Sequence, residues 1–377
     1  MEIYMKVVAA IDSFKGSMTS MEAGNAVKKG ILAAKPDAEV WLSPLADGGE
    51  GTVDALIEGL GAEKIPVTVA GPLGEKVSCY YGFLEETKTA VMEMASAAGI
   101  TLVIKKDPLR ASTYGVGEMI ADALKRGCKN FMIGIGGSAT NDGGIGMLKA
   151  LGFEFFDEDG NDVGEGAAAL AKIEVIRTEN KNSLLSGAKF QIACDVKNPL
   201  CGKQGATYIF GPQKGVTEEQ KSKVDEAMKH YADVTKESLG CDFADCEGAG
   251  AAGGLGYAFL SYLAGELIPG VELILQATGL EEKMKNADVV VTGEGRLDAQ
   301  TVMGKAPVGV AALAKKYNAK VIAFAGSVAP EASVCNQAGI DAFFPIVRGV
   351  TTLEEAMKKE NAMENIAATA EQVFRLL

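Results

Sequence analysis

A chain of 377 residues has room for roughly two to three domains of about 150 residues each and for a sizeable buried core. Its 47% hydrophobic content, 46 glycines and formal charge of −13 are those of a folded, acidic protein; they exclude a disordered chain and argue against nucleic acid or an anionic membrane surface as partner, since both need clustered Lys and Arg. Seven scattered cysteines with no C-x-x-C pair, beside a single histidine, exclude a structural zinc site and read as small buried hydrophobes in a reducing compartment.

Residues 6–11 read as an apolar strand that runs into Asp12-Ser13-Phe14-Lys15-Gly16-Ser17, after which Ala23, Ala26, Val27, Gly30, Ile31 and Ala34 recur at helical spacing. A second strand over 38–42 ends at the loop Ala46-Asp47-Gly48-Gly49-Glu50-Gly51-Thr52, and 53–60 form the next helix. Both loops then sit at strand C-termini, the edge where open parallel sheets bind ligands, which places Lys15 and Asp47 for chemistry. Asp47 and Glu50 are equally suited to capping the following helix. From 64 to 94 the pattern changes to alternating β-branched runs (67–69, 77–83, 89–94) separated by Gly-Pro and acidic turns, the mark of antiparallel strands in a different subdomain.

A helix over 113–126 and a strand over 130–135 follow, and then residues 134–146, GIGGSATNDGGIG. Glycines allow positive φ and close approach, so main-chain N–H groups can converge on anionic oxygens before a helix that starts at Met147. Gly136, Gly137, Ser138, Thr140, Asn141, Asp142 and Gly143 are the expected phosphate-binding residues. A tight turn is the alternative, although Asn141 and Asp142 add polar side chains that a turn does not need. Short strands near 153–156 and 190–194 lead to Cys194-Asp195-Val196-Lys197-Asn198-Pro199, where Asp195 at a strand end is the leading candidate for a general base.

The charged helix 218–239 carries His230, read as part of a solvated face, so acid–base chemistry falls to carboxylates, lysines or arginines. Residues 248–253 fit G-x-G-x-x-G but follow an acidic stretch instead of an apolar strand, so close packing at a helix start competes with a dinucleotide site. A Walker A loop is absent, since Gly304-Lys305 is followed by Ala306. The strand 288–291 runs into a loop, Thr292-Gly293-Glu294-Gly295-Arg296-Leu297-Asp298, in which the Arg296 guanidinium suits a carboxylate or phosphate, with a surface ion pair as the alternative. Helices over 304–317, 332–338 and 352–377 and strands over 320–325 and 342–346 complete the chain.

The fold class expected is α/β with two domains: a doubly wound Rossmann-like domain formed by both chain ends, 1–65 and 286–377, and an inserted mixed α/β domain, 66–285. The strand at Asn130 could instead complete the outer sheet. No signal-like start and no stretch of membrane-spanning length is seen, so a cytoplasmic protein is expected; oligomeric state stays open.

Six strings, DSFKGS (12–17), PLADGGEGT (44–52), GGSATNDGG (136–144), CDVKNPL (194–200), FGPQKG (210–215) and TGEGRLDAQTVMGKAP (292–307), together resemble the bacterial glycerate kinases of the DSFKGS type, in that family's order. Ile11 stands where the family pattern suggests proline. The resemblance implies transfer of the γ-phosphoryl group of ATP to a hydroxyl of D-glycerate with Mg²⁺, the 2-position favoured over the 3-position, on a two-domain α/β fold unrelated to P-loop kinases. Phosphoryl transfer is mainly positioning and charge neutralisation. The implied roles are therefore the backbone of 136–144 on the ATP phosphates, Asp47 and Glu294 near Mg²⁺, Asp195 as base and Lys15 on the transferring phosphoryl with Asp47 close to the chemistry. Arg296 takes the glycerate carboxylate, with Ser13 and Asp298 beside the substrate. Two other classes remain: an NAD(P)-dependent hydroxy-acid oxidoreductase using the 248–253 stretch, and a nucleotide or organic-acid sensor that binds without reacting.

Overall fold

The computed structural model describes residues 4–46 and 52–377. In chain order its strands are β1 (Lys6–Ile11), β2 (Glu39–Pro44), β3 (Glu63–Ala70), β4 (Lys76–Leu84), β5 (Thr89–Glu93), β6 (Asn130–Gly134), β7 (Glu154–Phe156), β8 (Val175–Arg177), β9 (Lys189–Ala193), β10 (Glu266–Ile268), β11 (Val289–Leu297), β12 (Lys320–Val328) and β13 (Ala342–Pro345). The architecture is α/β with one parallel and one mixed sheet. The described residues divide into two compact units, one of 4–46, 54–61 and 271–377 and the other of 52–53 and 62–270. The boundaries expected from the sequence are 65/66 and 285/286, so residues 271–285 fall in the first unit here and not in the insert.

In the first unit five parallel strands run in the order β13-β12-β11-β1-β2. Val7, Val8, Ala9, Ala10 and Ile11 are all buried, as a central parallel strand covered on both faces requires. Connections leave β1 toward β2 on one side and β11 toward β12 on the other, so the order reverses between β1 and β11, and the crevice beyond their C-terminal ends is where such sheets take ligands. The helix Ser20–Ala34 starts on a capping box in which Thr19 and Glu22 exchange side-chain and backbone hydrogen bonds. It buries Ala23, Ala26, Val27 and Ile31, and Gly30 lets it close on the helix Lys359–Phe374, where a Cβ would meet the Ala367 carbonyl at 2.1 Å.

Two sequence expectations change here. The loop expected over 292–298 is still strand: β11 continues to Leu297, paired with β12 to Val328. Glycine makes this possible, because a Cβ at Gly293 would lie 2.2 Å from the Phe324 carbonyl oxygen and one at Gly326 would lie 2.6 Å from that of Gly295. The closing helix is two helices, Leu353–Met357 and Lys359–Phe374, broken where Lys358 turns extended and the Asn361 amide donates to the Glu355 carbonyl at 2.8 Å.

In the second unit the sheet order is β10-β9-β6-β5-β4-β3, antiparallel from β3 to β5 and parallel from β5 to β10, with β7 and β8 as a separate antiparallel ribbon. β6 therefore sits in this sheet. The core gathers Phe131, Phe155, Tyr231, Tyr257 and Phe259. The helix Glu218–Leu239 forms as its spacing indicates, and His230 Nε2 lies 2.8 Å from the Ile173 carbonyl oxygen. All seven cysteines are free thiols. Among the described residues no helix is long and apolar enough to cross a membrane.

Candidate active site

A cavity of about 550 Å³ opens in the first unit beyond the ends of β1 and β11. That volume is in the range of small-molecule sites, about 300–1,000 Å³. Asp12, Ser13 and Lys15 reach it from the end of β1, and Glu294, Arg296 and Asp298 from β11 and the residue after it. Asp12 is buried, its N–H donating to the Gly293 carbonyl at 2.9 Å and its Oδ1 accepting from the Ser13 N–H at 2.7 Å. This ties the end of β1 to β11.

Glu294 is held from two sides. Its Oε1 accepts from the Thr301 hydroxyl at 2.7 Å, and its Oε2 lies 3.5 Å from the Lys305 ammonium. Burial pushes its carboxyl pKa up, against the lowering pull of the Thr301 hydrogen bond and of Lys305. Asp298 Oδ1 is 3.8 Å from Lys305 and accepts from the Gln300 N–H, while its Oδ2 is 3.5 Å from Arg296 Nε. The Arg296 side chain is 67% exposed. The cavity thus alternates cations with carboxylates, and ligand oxygens can exchange for existing partners without stripping a bare charge.

Among the described residues no group of three or more acidic, His or Cys side chains is arranged to hold a metal ion. Mg²⁺ does not require one, since it commonly binds through one or two carboxylates plus substrate phosphates and water. The hard oxygens of Glu294 and Asp298 suit such an ion. Asp47, paired with Glu294 in the sequence reading, lies outside the described residues.

In the second unit the glycine loop follows β6 and enters the helix Ile145–Ala150, two residues earlier than the sequence suggests. Gly136 and Gly137 are exposed, Gly137 with φ +74°, while Ser138, Thr140, Asn141, Asp142 and Gly143 are buried. Asp142 is wholly enclosed: Oδ2 accepts from the Thr113 N–H and hydroxyl, both at 2.8 Å, and from the Gly146 N–H, and Oδ1 accepts from the Gly144 N–H. Desolvation nevertheless pushes its carboxyl pKa up. Its lone pairs are engaged in shaping the loop and capping the helix, so its surroundings are those of a loop anchor.

The 248–253 stretch supports the same loop from behind. Ala252, Gly253 and Gly254 have left-handed φ inside the helix Ala251–Leu263. A Cβ at Gly253 would lie 2.1 Å from the Thr140 carbonyl oxygen and one at Gly254 2.8 Å from Gly143 Cα, and the Gly143 N–H donates to the Gly253 carbonyl. These glycines serve close packing.

Asp195 follows β9, is exposed, and accepts the Gly270 N–H on Oδ1 at 2.9 Å. The adjacent Cys194 has its thiol pKa raised by burial, which keeps it protonated and unsuited to nucleophilic work. Four residues that the sequence reading gives no role stand in these networks: Thr301 and Lys305 beside Glu294, Thr113 on Asp142, and Lys214, whose Nζ reaches Ser138 and Thr140. Thr301, Lys305 and Lys214 lie within two of the quoted strings, so string membership was a signal; burial was not visible.

The Glycerate kinase family matches residues 7–377. The glycerate kinase of Bacillus subtilis strain 168 is 45% identical over 371 residues, 98% of this chain and 97% of that protein. The glycerate 2-kinase of Escherichia coli K12 is 45% identical over 372 residues, 97% and 98% respectively. A crystal structure assigned as glycerate kinase 2 from Salmonella typhimurium LT2 superposes with a TM-score of 0.91 at 42% identity, covering 99% of this chain and 98% of that one.

Proposed function

Since the chain belongs to the glycerate kinase family, we propose that it transfers the γ-phosphoryl group of ATP to a hydroxyl of D-glycerate in the cytoplasm, releasing ADP, with the 2-position favoured. The observation that carries this reading is the cavity at the β1–β11 reversal, where strings 12–17 and 292–307 deliver Lys15, Glu294, Arg296 and Asp298 to one place.

In this reading Arg296 pairs with the glycerate carboxylate, for which its planar, exposed fork is suited, and Ser13 and Asp298 bind the substrate beside it. Asp195 accepts the proton of the attacking hydroxyl; the oxygen bonds to the γ-phosphorus as the bond to the β–γ bridging oxygen breaks, and ADP leaves. Lys15 offsets the charge on the transferring group. The exposed turn Gly136-Gly137 with Ser138 holds ATP phosphates, while Thr140, Asn141, Asp142 and Gly143 fix that turn from inside. Glu294, with Asp47 outside the described residues, would hold Mg²⁺, whose charge offsets that of the phosphate oxygens.

The test is ³¹P NMR of the protein with Mg-ATP and D-glycerate, against L-glycerate and no acceptor. A new phosphomonoester signal confined to D-glycerate is expected, a doublet from the single C2 proton marking the 2-phosphate and a triplet the 3-phosphate. A folded protein that binds ATP and yields no such signal would leave the sensor class standing and this reading rejected.

A further inference from the structure

Behind the glycine loop lies a cation for which the mechanism above has no task. Lys214 ends the helix Ala206–Lys214 and is 2% exposed. Its Nζ donates to Ser138 Oγ at 2.6 Å and to the Thr140 carbonyl at 2.7 Å. Among the described residues no carboxylate forms an ion pair with it; Asp142 acts on it through space while its oxygens accept from Thr113, Gly144 and Gly146. A buried ammonium with no carboxylate in direct contact is costly, and burial pushes the Lys214 pKa down to about 7 against the pull of Asp142.

Ser138 is the link to the surface. Its Oγ accepts from Lys214, so its own O–H must point elsewhere, and among the described residues no acceptor receives it. The next residues along the loop are the exposed Gly137 and Gly136. Two more buried oxygens of this loop, Thr140 Oγ1 and Asn141 Oδ1, also lack partners among the described residues. The loop therefore holds a buried ammonium and a hydroxyl that already accepts from it next to the exposed Gly136 and Gly137.

We propose that Lys214 is the counter-charge for the anion taken by the glycine loop, acting as a positioning residue that turns the Ser138 hydroxyl outward as a donor, so that phosphate binding and protonation of Lys214 are linked. This rests on the assignment of ATP phosphates to the loop. The titratable groups around Lys214 give the sign. Asp142, on the loop, favours the ammonium; Tyr231, on the packed helix Glu218–Leu239, stays neutral because burial raises its phenol pKa far up; Lys106, whose Cβ would lie 3.0 Å from a Cβ at Gly215, is exposed. A bound phosphate adds negative charge and raises the Lys214 pKa, so binding near neutral pH takes up protons and weakens as pH rises.

Calorimetric titration of the protein with Mg-ATP in two buffers of unlike ionisation enthalpy reads this proton. The expected result is uptake by the wild type that is missing in Lys214→Met, together with at least tenfold weaker ATP binding by the variant and a retained cooperative melt. Equal proton counts in the two proteins, or ATP affinity within twofold, overturns the proposal. Ser138→Ala decides the matter if Lys214→Met does not fold: ATP binding weakened severalfold with proton uptake kept supports the relay, and unchanged affinity overturns it. A wild type that takes up the proton with ATP yet makes no phosphoglycerate would sustain this inference and sink the kinase reading; one that does not bind ATP would overturn both.

Discussion

Each unit buries a carboxylate under a threonine hydroxyl, Glu294 under Thr301 in the first and Asp142 under Thr113 in the second. The other neighbours differ. Around Asp142 they are backbone N–H groups of Thr113, Gly144 and Gly146, fixed donors that no ligand could displace without unwinding a helix start. Around Glu294 they are side chains, with Lys305 at 3.5 Å on the wall of an open cavity, and side chains can rearrange about a ligand. Burial and a raised pKa are common to both and so cannot tell anchor from reactant; the nature of the hydrogen-bond partners can. Asp195 is the third case, an exposed carboxylate that accepts the Gly270 N–H on Oδ1.

The sharpest test of that ordering is the exposed acid. Asp195→Asn keeps the shape and an oxygen for the Gly270 N–H, and turnover should fall about 10²- to 10⁴-fold, the usual contribution of a positioned base, with the melting temperature unchanged. Turnover within a few-fold would remove Asp195 from that role. Next in size is the anchor. Asp142→Ala leaves the Thr113, Gly144 and Gly146 donors without acceptors in a closed interior, and a loss of about 3 kcal/mol or more in denaturant unfolding is expected. Glu294→Ala should cost far less stability, because water entering the cavity can meet Thr301 and Lys305, while turnover drops about a hundredfold. Equal destabilisation by the two would erase the distinction.

Arg296→Ala probes the mobile partners. Loss of a charge-assisted pair, about 1.5–3 kcal/mol, predicts a glycerate KM raised about ten- to a hundredfold with the ATP KM unchanged. Equal rises in both would place Arg296 on phosphate.

The strand-ends proposed to carry the chemistry were legible because apolar runs and glycine-rich breaks are local: β1 into 12–17 and β6 into the loop are where the periodicity puts them. What the sequence could not show is which glycines admit a ligand and which admit protein. Gly137 is exposed, whereas Gly143, Gly253 and Gly293 exist because neighbouring side chains or backbone pass too close for a Cβ, a fact written in residues far along the chain. For the same reason 292–297 reads as a loop and is a strand. Lys214 stayed silent because a lysine in a glycine-flanked segment looks solvated, and only tertiary packing buries it. The family resemblance located the strings, but the partition of their acids into anchors and reactants needed hydrogen-bond partners.

The smallest expected effect bears on why Glu294 is held at all. Thr301→Val removes the hydroxyl that donates to Glu294 Oε1 and accepts the Asp298 N–H at 3.1 Å, with little change of shape, and should cost about 1–2 kcal/mol near neutral pH. The pH dependence carries the argument. The hydroxyl stabilises the ionised carboxylate, opposing the upward push of burial, so without it the Glu294 pKa rises further. The difference between wild type and variant is therefore fully present above the raised folded-state value and shrinks as pH falls through it toward the ordinary 4.5, where both carboxyls take a proton. Urea melts of the two proteins between pH 8 and the acid limit of folding measure this difference. A gap that is constant with pH would mean that Thr301 acts through Asp298 alone, leaving Lys305 as the one neighbour that holds Glu294 ionised.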